Sequence, residues 1–506
     1  MEKIAVILMD SFSVKLTINS VVNSEYFVTV DSEKEDLKLA LEENSDCFLK
    51  KSQIDNAVLA LKNFRKICEM HGVNKVYAVA TFVESEKPKN LYSFFEEIFN
   101  NCGFRFNILS PEEESNLIYN GIINTFDLPK GVICHISAEE VKFVCYNRRM
   151  VLNETTLDFG PLTLANKYSL DEENKEQSLK DIALFVSQKF AEIDWLKDTA
   201  EDFVMIGSGA YFEDISAMVK RMKKYPLDIV SGYNLNMDDA DKVFAQIRQA
   251  PIDKTKKLKG INEKRADVFV ASTIIALCAA RALNKNDAII SNRGIMEGQM
   301  FKEEIAAAQE KPISDVLGYS INAQSDFFDN ENNAHNNQVY NLSLLLFKQL
   351  KVLHKLPRNY TKILRLASFM HDCGTRVGYT SHAKNGFNVL LGADIYGATH
   401  REMVLAGFAI AMHTGQDIAL SEFLKYRDLI TEEDIAAVKK LGIIVRMAEA
   451  FDRTKNNVIV DLNCDILGDS VIMKTIAVGN NSYEISKAAE CSKDFEKNFN
   501  KKIEIL

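Results

Sequence analysis

The run Ser110-Pro111-Glu112-Glu113-Glu114 places three carboxylates at the predicted start of a helix. Ser110 is a typical N-cap residue, Pro111 suits the first helical position, and Glu113 has the spacing of a capping-box partner. Acidic residues in a first helical turn also interact favourably with the helix dipole, so Glu112 and Glu113 need no catalytic role. Glu114 lies one residue beyond the capping box and remains available as a general base.

A second group of residues could hold an anion. Gly207-Ser208-Gly209 follows a short apolar run and opens a predicted helix, where backbone amides can cradle a phosphate. A tight strand-to-helix turn requires glycine in any case, so a purely structural interpretation stands beside the functional one. Ser11 and Ser13, between the first two predicted strands, could donate to the same phosphate or simply form their turn.

The third group combines imidazole and carboxylate side chains from the second half of the chain. It consists of His335, the adjacent pair His371-Asp372, His382, His413, and a late acid, Glu449 or Asp452. Such nitrogen and oxygen ligands suit Mn, Fe, Zn or Mg. Adjacent residues on a helix point about 100° apart, so the His-Asp pair would straddle a site where several helices converge. Alternatively, these are helix-end histidines satisfied by backbone hydrogen bonds.

Positive charge is concentrated in the same part of the chain. Residues 332–393 contain a single acid, Asp372, and eight basic residues: Lys348, Lys351, Lys355, Arg358, Lys362, Arg365, Arg376 and Lys384. This segment has a net charge of +7 in a chain whose net charge is −10. It is either a solvated basic helix face or a local track for a polyanion, since clefts lined by one sign concentrate the opposite ion.

Composition narrows the class of protein. Of the 506 residues, 47% are hydrophobic and 26% charged, as is usual for soluble globular proteins, and no apolar run reaches the length of a membrane helix. Asp10 interrupts the first apolar run and no cleavage site follows, so we expect no signal peptide. Nine cysteines without metal-binding spacing predict reduced thiols and a cytoplasmic location. The negative net charge argues against DNA or membrane as a partner.

The elements that must position these groups repeat in order along the first half of the chain. Three strand-like runs precede alternating helices and strands, and this order begins again near residue 130, which predicts a duplicated α/β domain with mixed sheets. From about residue 300 the pattern is helical, and the last fifty residues return to strands and a charged helix. Single helices are predicted over 263–283 and 485–499. The predicted domains are 1–124, 125–300, 301–455 and 456–506.

Seven segments resemble, in order and over nearly the whole chain, motifs of one family. They are Ala78–Thr81, Ile108–Gly121, Leu157–Leu164, Gly260–Asp267, Ser291–Gly298, Leu366–Gly374 and Val445–Thr454. The chain resembles the Ppx/GppA family of exopolyphosphatases and guanosine pentaphosphate phosphohydrolases. The resemblance implies two actin-like (ribonuclease H-like) α/β domains, then a helical HD-type domain and a small C-terminal α+β domain, with the boundaries given above.

The resemblance also implies an activity. In the family, the counterpart of Glu114 activates water against the terminal phosphate of polyphosphate or guanosine pentaphosphate, and Mg²⁺ and glycine-rich turns hold that phosphate. Here Ser11 and Ser13 are retained from the first turn and Gly207–Gly209 from the third. The basic stretch of the helical domain would guide a polyphosphate chain, and a homodimer through the helical and C-terminal domains would fit the family.

The chain departs from the family pattern at the phosphate turns. Leu8, Asp10 and Phe12 replace the Asp, Gly and Asn of the first turn, and His135–Phe143 replaces a DIGGGSTEL segment, which brings in two carboxylates. An arginine that the family has shortly after its "avaT" strand is absent from 82–90. These changes leave a second interpretation, a catalytically degenerate regulatory homologue that binds polyphosphate or a nucleotide.

A third interpretation moves the chemistry to the helical domain. The resemblance implies a second divalent metal held by His335, His371, Asp372 and Glu449, where Glu449 stands at the position of a family aspartate. This reading predicts an HD-type metal phosphohydrolase. Substitution of Glu114 or of the His371-Asp372 pair would distinguish the first interpretation from the third.

Overall fold

The structure is a computed structural model that describes residues 2–37, 39, 48–82, 87–168, 170, 175–199, 201–248, 250–258, 260–329 and 333–506. The chain divides into two compact units. The α/β unit comprises residues 1–225 and 229–316, and the helical unit comprises residues 226–228 and 317–506. Residues 83–86, within the segment that lacks the expected arginine, lie outside the described residues. Among the described residues, no helix is long and apolar enough to cross a membrane.

The first sheet of the α/β unit has the strand order β3-β2-β1-β4-β5. Its elements are β1 (Glu2–Met9), β2 (Ser13–Val22), β3 (Tyr26–Asp36), α1 (Lys51–His71), β4 (Lys75–Ala80), α2 (Leu91–Cys102), β5 (Phe106–Ile108) and α3 (Pro111–Ile123). Strand β1 is central and nearly uninterrupted in apolar residues, as expected of a strand covered on both faces, whereas edge strand β3 exposes charged residues to solvent. The predicted strand meander and the helices that follow it are therefore confirmed.

The second sheet repeats this plan with the order β10-β11-β9-β6-β7-β8. Its elements are β6 (Lys130–Ile136), β7 (Val141–Asn147), β8 (Met150–Leu157), α4 (Pro161–Tyr168), α5 (Lys175–Ala191), α6 (Asp194–Lys197), β9 (Val204–Ser208), α7 (Ala210–Lys223), β10 (Asn234–Asn236), α8 (Met237–Ile247), α9 (Ile252–Lys256), α10 (Phe269–Ala282) and β11 (Asp287–Ser291). Helices α11 (Ile295–Glu304) and α12 (Ala306–Gln309) follow. Strands β6 and β9 run parallel, with His135 opposite Ser208, so the ends of both strands reach the same edge.

The helical unit packs its helices around buried aliphatic and aromatic side chains. Its helices are α13 (Val316–Asp329), α14 (Asn333–Gln349), α15 (Lys351–His354), α16 (Tyr360–Met370), α17 (His382–Gly392), α18 (His400–Met412), α19 (Leu420–Leu424) and α20 (Glu432–Ala450). A sheet of order β12-β13-β14 and two helices complete it: β12 (Ile459–Ile466), β13 (Ser470–Ala477), α21 (Ser482–Ala489), α22 (Ser492–Phe499) and β14 (Lys502–Ile505).

Two predicted helices are wrong in extent. Over 263–283 the structure has a 3₁₀ turn, Glu263–Arg265, and only then α10, because the Asp267 carboxylate accepts a hydrogen bond from Val268 N and competes with helix formation. The helix expected over 485–499 is divided into α21 and α22 by i→i+3 hydrogen bonds at Glu490 and Cys491. The short strands β10 and β14 were not predicted from sequence.

Candidate functional site

Helix α3 directs Glu114 into the α/β unit. Ser110 caps the helix by accepting a hydrogen bond from Glu113 N at 3.2 Å, and the Glu113 carboxylate accepts one from Ser110 N at 2.8 Å. This reciprocal pair is the predicted capping box, with Pro111 in the first turn. Glu112 and Glu113 are exposed, whereas Glu114 is only 7% exposed. Of the three carboxylates at the helix start, Glu114 is therefore the one that is buried.

Glu114 belongs to a buried charge triad. Lys142 Nζ lies 3.5 Å from Glu114 Oε2 and 2.8 Å from Glu140 Oε2, and the Lys142 side chain is 1% exposed. Burial raises the pKa of Glu114 to about 7, the Lys142 ammonium opposes that rise, and the carboxylates of Glu140 and Asp10 add to it. At neutral pH Glu114 is therefore present both as an acid and as a carboxylate.

The serines of the first turn contact carboxylates of the protein itself. Ser11 Oγ donates a hydrogen bond to Glu139 Oε2 at 2.8 Å. Asp10 Oδ1 accepts hydrogen bonds from Phe12 N at 2.8 Å and Ser13 N at 2.7 Å, and Ser13 Oγ lies 3.3 Å from both Asp10 oxygens. The loop between β1 and β2 is thus closed around the Asp10 side chain, and both hydroxyls already have acidic acceptors.

The third turn keeps the geometry that the sequence predicts. Gly209 has φ +94°, and a Cβ at this position would collide with the carbonyl oxygen of Ile136. Glycine is therefore required for the close approach of this turn to β6. Ser208 Oγ lies 3.1 Å from His135 Nδ1, and desolvation, with smaller effects of Lys142 and Lys15, lowers the pKa of His135 to about 3, so its imidazole is neutral.

One cleft of about 250 Å³ is lined by Asp10, Ser11, Ser13, Glu114, His135, Glu139, Glu140, Ser208 and Gly209, but not by Lys142. Seven carboxylates and four cationic side chains contribute to its wall, so an incoming phosphate meets a net negative charge. Three of the cations have acidic partners: Lys34 and Asp36 at 3.4 Å, Arg265 and Asp214 at 2.7 Å, and Arg293 and Glu297 at 3.4 Å. The fourth, Lys15, lies opposite Lys34 across β2 and β3.

Sequence reasoning missed Lys142. It identified Glu139 and Glu140 as obstacles to phosphate, but not the lysine that stands two residues further on, in the buried strand β7. The position of Lys142 within an apolar strand could have revealed it, because a lysine in a buried strand is rarely buried unless it is paired with an acid. Ser208 and Gly209 of the retained turn do meet Glu114 in the cleft, together with Ser11 and Ser13. Gly207 lies within β9 against the Phe212 ring and does not line the cleft.

The predicted histidine cluster forms within the helical unit. Metal-capable ligand atoms lie within 4.8 Å of one another in two groups, His335-His371-Asp372 and Asp372-His382-His413. Helix α16 ends at Met370, so His371 and Asp372 follow the helix, and the expectation that both lie within a helix is wrong. Similarly, His413 follows α18 directly.

Helix ends set the orientation of three imidazoles. The Nδ1 atoms of His371 and His382 lie 2.7 Å from Ser368 O and 2.8 Å from Tyr379 O, and His413 Nδ1 contacts Ile410 O. In each case the acceptor is the carbonyl three residues earlier. His371 and His413 follow α16 and α18 directly, where carbonyls lack intrahelical partners and can accept from Nδ1–H. His382 is instead the first residue of α17 and contacts a carbonyl of the 3₁₀ turn Tyr379–Ser381 that precedes it. The interpretation that backbone hydrogen bonds satisfy these histidines therefore accounts for their Nδ1 atoms but not for their Nε2 atoms.

The two candidate late acids have different positions. Asp452 Oδ2 lies 2.7 Å from His335 Nδ1, and both side chains are buried. Glu449 Oε2 lies 3.7 Å from His413 Nε2 and is partly exposed. Burial would raise the pKa of Asp372, but His371, His413, Lys455 and His335 outweigh burial and hold that pKa well below its usual range.

The basic residues do not form one continuous helix face. Lys348, Lys351, Lys355 and Arg358 precede α16, whereas Arg376 and Lys384 follow it, and α16 rises about 16 Å between the two groups. Lys362 lies 3.6 Å from Glu402, and the Arg365 guanidinium lies over Tyr340. Lys384 and Arg376 are the members of this set closest in sequence to the histidine cluster.

Two family models match the chain. The model of the Ppx/GppA phosphatase family matches residues 17–306, and that of Ppx/GppA phosphatase domain III matches residues 321–485. Among curated proteins, a bifunctional 3-dehydroquinate synthase/phosphatase of Fusobacterium nucleatum is 23% identical over 280 residues, 53% of this chain and 40% of that protein. The retrograde regulation protein 2 of Saccharomyces cerevisiae is 19% identical over 275 residues, 51% of this chain and 47% of that protein. The chain thus matches less than half the length of each relative.

Solved structures share the fold over about three fifths of the chain. An Aquifex aeolicus member of the Ppx/GppA family superposes with a TM-score of 0.51 at 21% identity, covering 59% of this chain and 96% of that one. An exopolyphosphatase from Cytophaga hutchinsonii superposes with a TM-score of 0.55 at 19% identity, covering 60% of this chain and 97% of that one. At these identities the comparison concerns the fold.

Proposed function

The chain belongs to the Ppx/GppA phosphatase family, and from that premise we propose that it hydrolyses a linear phosphoanhydride with Glu114 as general base. The substrate class is inorganic polyphosphate or guanosine pentaphosphate, from which terminal phosphate is released. The family match and the fold of the exopolyphosphatase neighbours support a phosphatase. The choice of substrate rests on the linear, multiply charged chain that this family acts on.

One observation carries the assignment of Glu114. Its carboxylate is buried in the same cleft as the Gly207–Gly209 turn, and burial raises its pKa to about 7. A general base is most effective when its pKa lies near the working pH, because it is then both deprotonated and basic enough to accept a proton. Neither Glu112 nor Glu113 shares this environment, since both are exposed.

The reaction needs a base, an attacking water and groups that hold the terminal phosphate. The Glu114 carboxylate would take a proton from water as the water oxygen bonds to the terminal phosphorus and the anhydride P–O bond breaks. The backbone amides at the start of α7 would bind the phosphoryl oxygens, as helix N-termini do for anions. Lys15 and Lys34, which both line the cleft, would contact the next phosphate.

The Mg²⁺ expected from the family does not fit this cleft as the chain builds it. The Lys142 ammonium already lies against Glu114 and Glu140, and Ser11 donates to Glu139. Neutral His135 stands where the family motif has a metal-facing aspartate. Because the carboxylates that could bind Mg²⁺ have internal cationic or hydrogen-bonding partners, no step of the reaction is assigned to that ion.

The experiment compares phosphate release from long-chain polyphosphate by the wild type, Glu114→Gln and Glu112→Gln. The last variant is a matched control, because it removes an exposed carboxylate from the same helical turn. General-base catalysis contributes roughly 10²–10⁴-fold, so we expect a loss of that size in Glu114→Gln only. Equal release from wild type and Glu114→Gln would show that Glu114 is not the base.

A second candidate function is binding without turnover. The specific observation in its favour is that Glu139 and Glu140 line the cleft and are held there by Ser11 and Lys142. Such carboxylates repel the terminal phosphate from the turn and so oppose turnover in the cleft, which leaves the basic residues of the helical unit, such as Lys348 and Lys351, to bind the polyanion. Retention of labelled polyphosphate on a filter, with no release from any variant, would identify the chain as a polyanion-binding protein.

A further inference from the structure

We infer that the helical unit holds two divalent transition-metal ions that share the Asp372 carboxylate. His335 and His371 would bind the first ion, and His382 and His413 the second. The inference concerns a separate unit from the Glu114 cleft and is independent of the function proposed for that cleft. It rests on the hydrogen-bonding state of the four imidazoles and on how the two oxygens of Asp372 are directed.

The first observation is that all four imidazoles have their Nδ1 atoms engaged. Three of these atoms contact backbone carbonyl oxygens, which can only accept hydrogen bonds, so the Nδ1 atoms of His371, His382 and His413 carry the protons. In a neutral imidazole the other nitrogen, Nε2, is then an unprotonated acceptor. Metal-binding histidines show this arrangement, in which one nitrogen donates to a carbonyl or carboxylate and the other ligates the ion.

The second observation is the close approach of two such acceptors. His382 Nε2 and His413 Nε2 are 3.1 Å apart. Two lone pairs at this distance repel each other unless a cation lies between them. Nitrogens bound at about 2.0–2.1 Å to one ion, at angles near tetrahedral or octahedral, are about 3 Å apart. The pair thus has the separation that a shared metal ion imposes.

The third observation concerns His371. Its side chain is completely buried, and its Nε2 has no hydrogen-bond partner among the described residues. A buried acceptor without a partner costs about 1–3 kcal/mol. Its ring lies 5.3 Å from that of His335, measured between centroids, and its Nε2 faces Asp372 Oδ2 at 3.7 Å. An ion between these groups would satisfy the imidazole.

Asp372 connects the two groups through its two oxygens. Oδ2 lies 3.7 Å from His371 Nε2, and Oδ1 lies 3.8 Å from His382 Nε2. Each oxygen therefore faces one imidazole of a different group, and Oδ2 also lies 3.6 Å from Lys455 Nζ, whose place an ion would take. This is the geometry of a carboxylate that bridges two ions, and two-metal sites of this kind have ions about 3.5–4 Å apart.

The two late acids complete the arrangement in different ways. Asp452 accepts from His335 Nδ1 and is a positioning residue, which fixes the ring so that Nε2 is directed away from Asp452. Glu449, 3.7 Å from His413 Nε2, is close enough to become a ligand of the second ion after a small side-chain rotation. The mixed imidazole and carboxylate donor set favours Mn²⁺, Fe²⁺ or Zn²⁺.

The test is the metal content of the purified full-length chain, produced with Mn²⁺, Fe²⁺ and Zn²⁺ in the medium and measured by inductively coupled plasma mass spectrometry. We expect about two ions per chain in the wild type and nearly none in Asp372→Asn, because the shared ligand is lost. His371→Asn and His413→Asn should each retain about one ion. Asparagine keeps a donor near the position of Nδ1 and so preserves the helix-end hydrogen bond.

His354→Asn is the matched control. His354 is also buried in the helical unit, but its Nε2 contacts Phe347 O and its Nδ1 accepts from Leu356 N, so it has no nitrogen left for a metal. We expect this variant to keep both ions, and Glu114→Gln to keep both as well. Wild-type protein that binds none of the three metals, or Asp372→Asn with wild-type content, would overturn the inference. Circular dichroism establishes that each variant is folded.

Discussion

The cleft of the α/β unit and the histidine cluster of the helical unit both gather titratable groups, but they differ in what those groups have left to bind. In the cleft, Lys142 lies between Glu114 and Glu140, and Ser11 donates to Glu139. In the cluster, Nε2 of His382 faces Nε2 of His413. The charged groups of the cleft already contact partners within the chain, although carboxylates remain in excess, whereas the cluster leaves its acceptors directed at one another.

This difference shows that membership of the family does not determine which side chains remain available to bind a ligand. The cleft has the fold of the family and, in Glu114, a buried carboxyl with a raised pKa, but the chain itself contacts several of the groups that would hold a phosphate and a metal. The cluster needs no such rearrangement, because its ring nitrogens already converge. Local chemistry, rather than the fold, therefore determines which ligand each unit can take.

Lys142→Met would alter the cleft most. Without the ammonium, Glu114 and Glu140 lose the positive charge that lowers the pKa of Glu114. Loss of an opposite charge at this range raises a carboxyl pKa by about 1–3 units. We expect the acidic limb of the rate profile for phosphate release to move to higher pH by that amount. An unchanged limb would mean that Lys142 does not act on the base.

Asp452→Asn tests the cluster through a residue that does not ligate the ion. The amide can still accept from His335 Nδ1 but lacks the negative charge, so ring orientation weakens without loss of a ligand. Substitution of a hydrogen-bonding partner that orients a metal-binding histidine costs about 10–100-fold in metal affinity. Competition with a chromogenic chelator measures that affinity, and His354→Asn is again the control. Equal metal affinity in Asp452→Asn and His354→Asn would show that Asp452 has no influence on the metal site.

Glu139→Gln should affect the cleft less. The substitution removes one negative charge from the cleft wall and keeps a group that can accept from Ser11 Oγ. Because like charges disfavour anion binding, we expect KM for polyphosphate to fall by about tenfold with kcat nearly unchanged. A rise in KM would instead indicate that Glu139 assists the substrate.

Glu114→Gln should have a small, pH-dependent effect on stability. The folded-state pKa of Glu114 is about 7, above its ordinary value of 4.5, so the folded wild type binds a proton that the unfolded chain has released between these values. Wild-type stability is therefore lost as the pH rises from 4.5 to 7, and the variant escapes this loss by about 1–3 kcal/mol. Urea unfolding at both ends of the range measures the difference, and a pH-independent difference would contradict the raised pKa.

Much of the fold could be predicted from short segments of the sequence. The capping box of Ser110 and Glu113 locates the start of α3, and the apolar run of β1 identifies a central strand. Short elements cannot be predicted in this way. Strand β10 has only three residues, and its hydrogen bonds to β11 depend on the rest of the sheet. The break between α21 and α22 depends likewise on local turn bonds that periodicity does not register.

The sites could be predicted only in part, because the sequence gives the type of each residue but not its contacts in the folded chain. The histidines could be grouped from residue type, but the direction of each Nε2 follows from a helix end that supplies an acceptor for Nδ1. Whether Asp452 or Glu449 lies by His335 could not be decided from spacing, since Glu449 is in the last turn of α20 and Asp452 follows that helix by two residues. Lys142 was missed because its partners, Glu114 and Glu140, meet it only in the folded unit.

The pH dependence of phosphate release from long-chain polyphosphate, measured for wild type and Glu114→Gln between about pH 5 and pH 9, tests the central claim most directly. We predict that the wild-type rate rises with an apparent pKa of about 7 as Glu114 loses its proton. The variant should show a low rate without that limb. Superimposable profiles of similar rate would contradict the assignment of Glu114 and of the cleft as the site of hydrolysis.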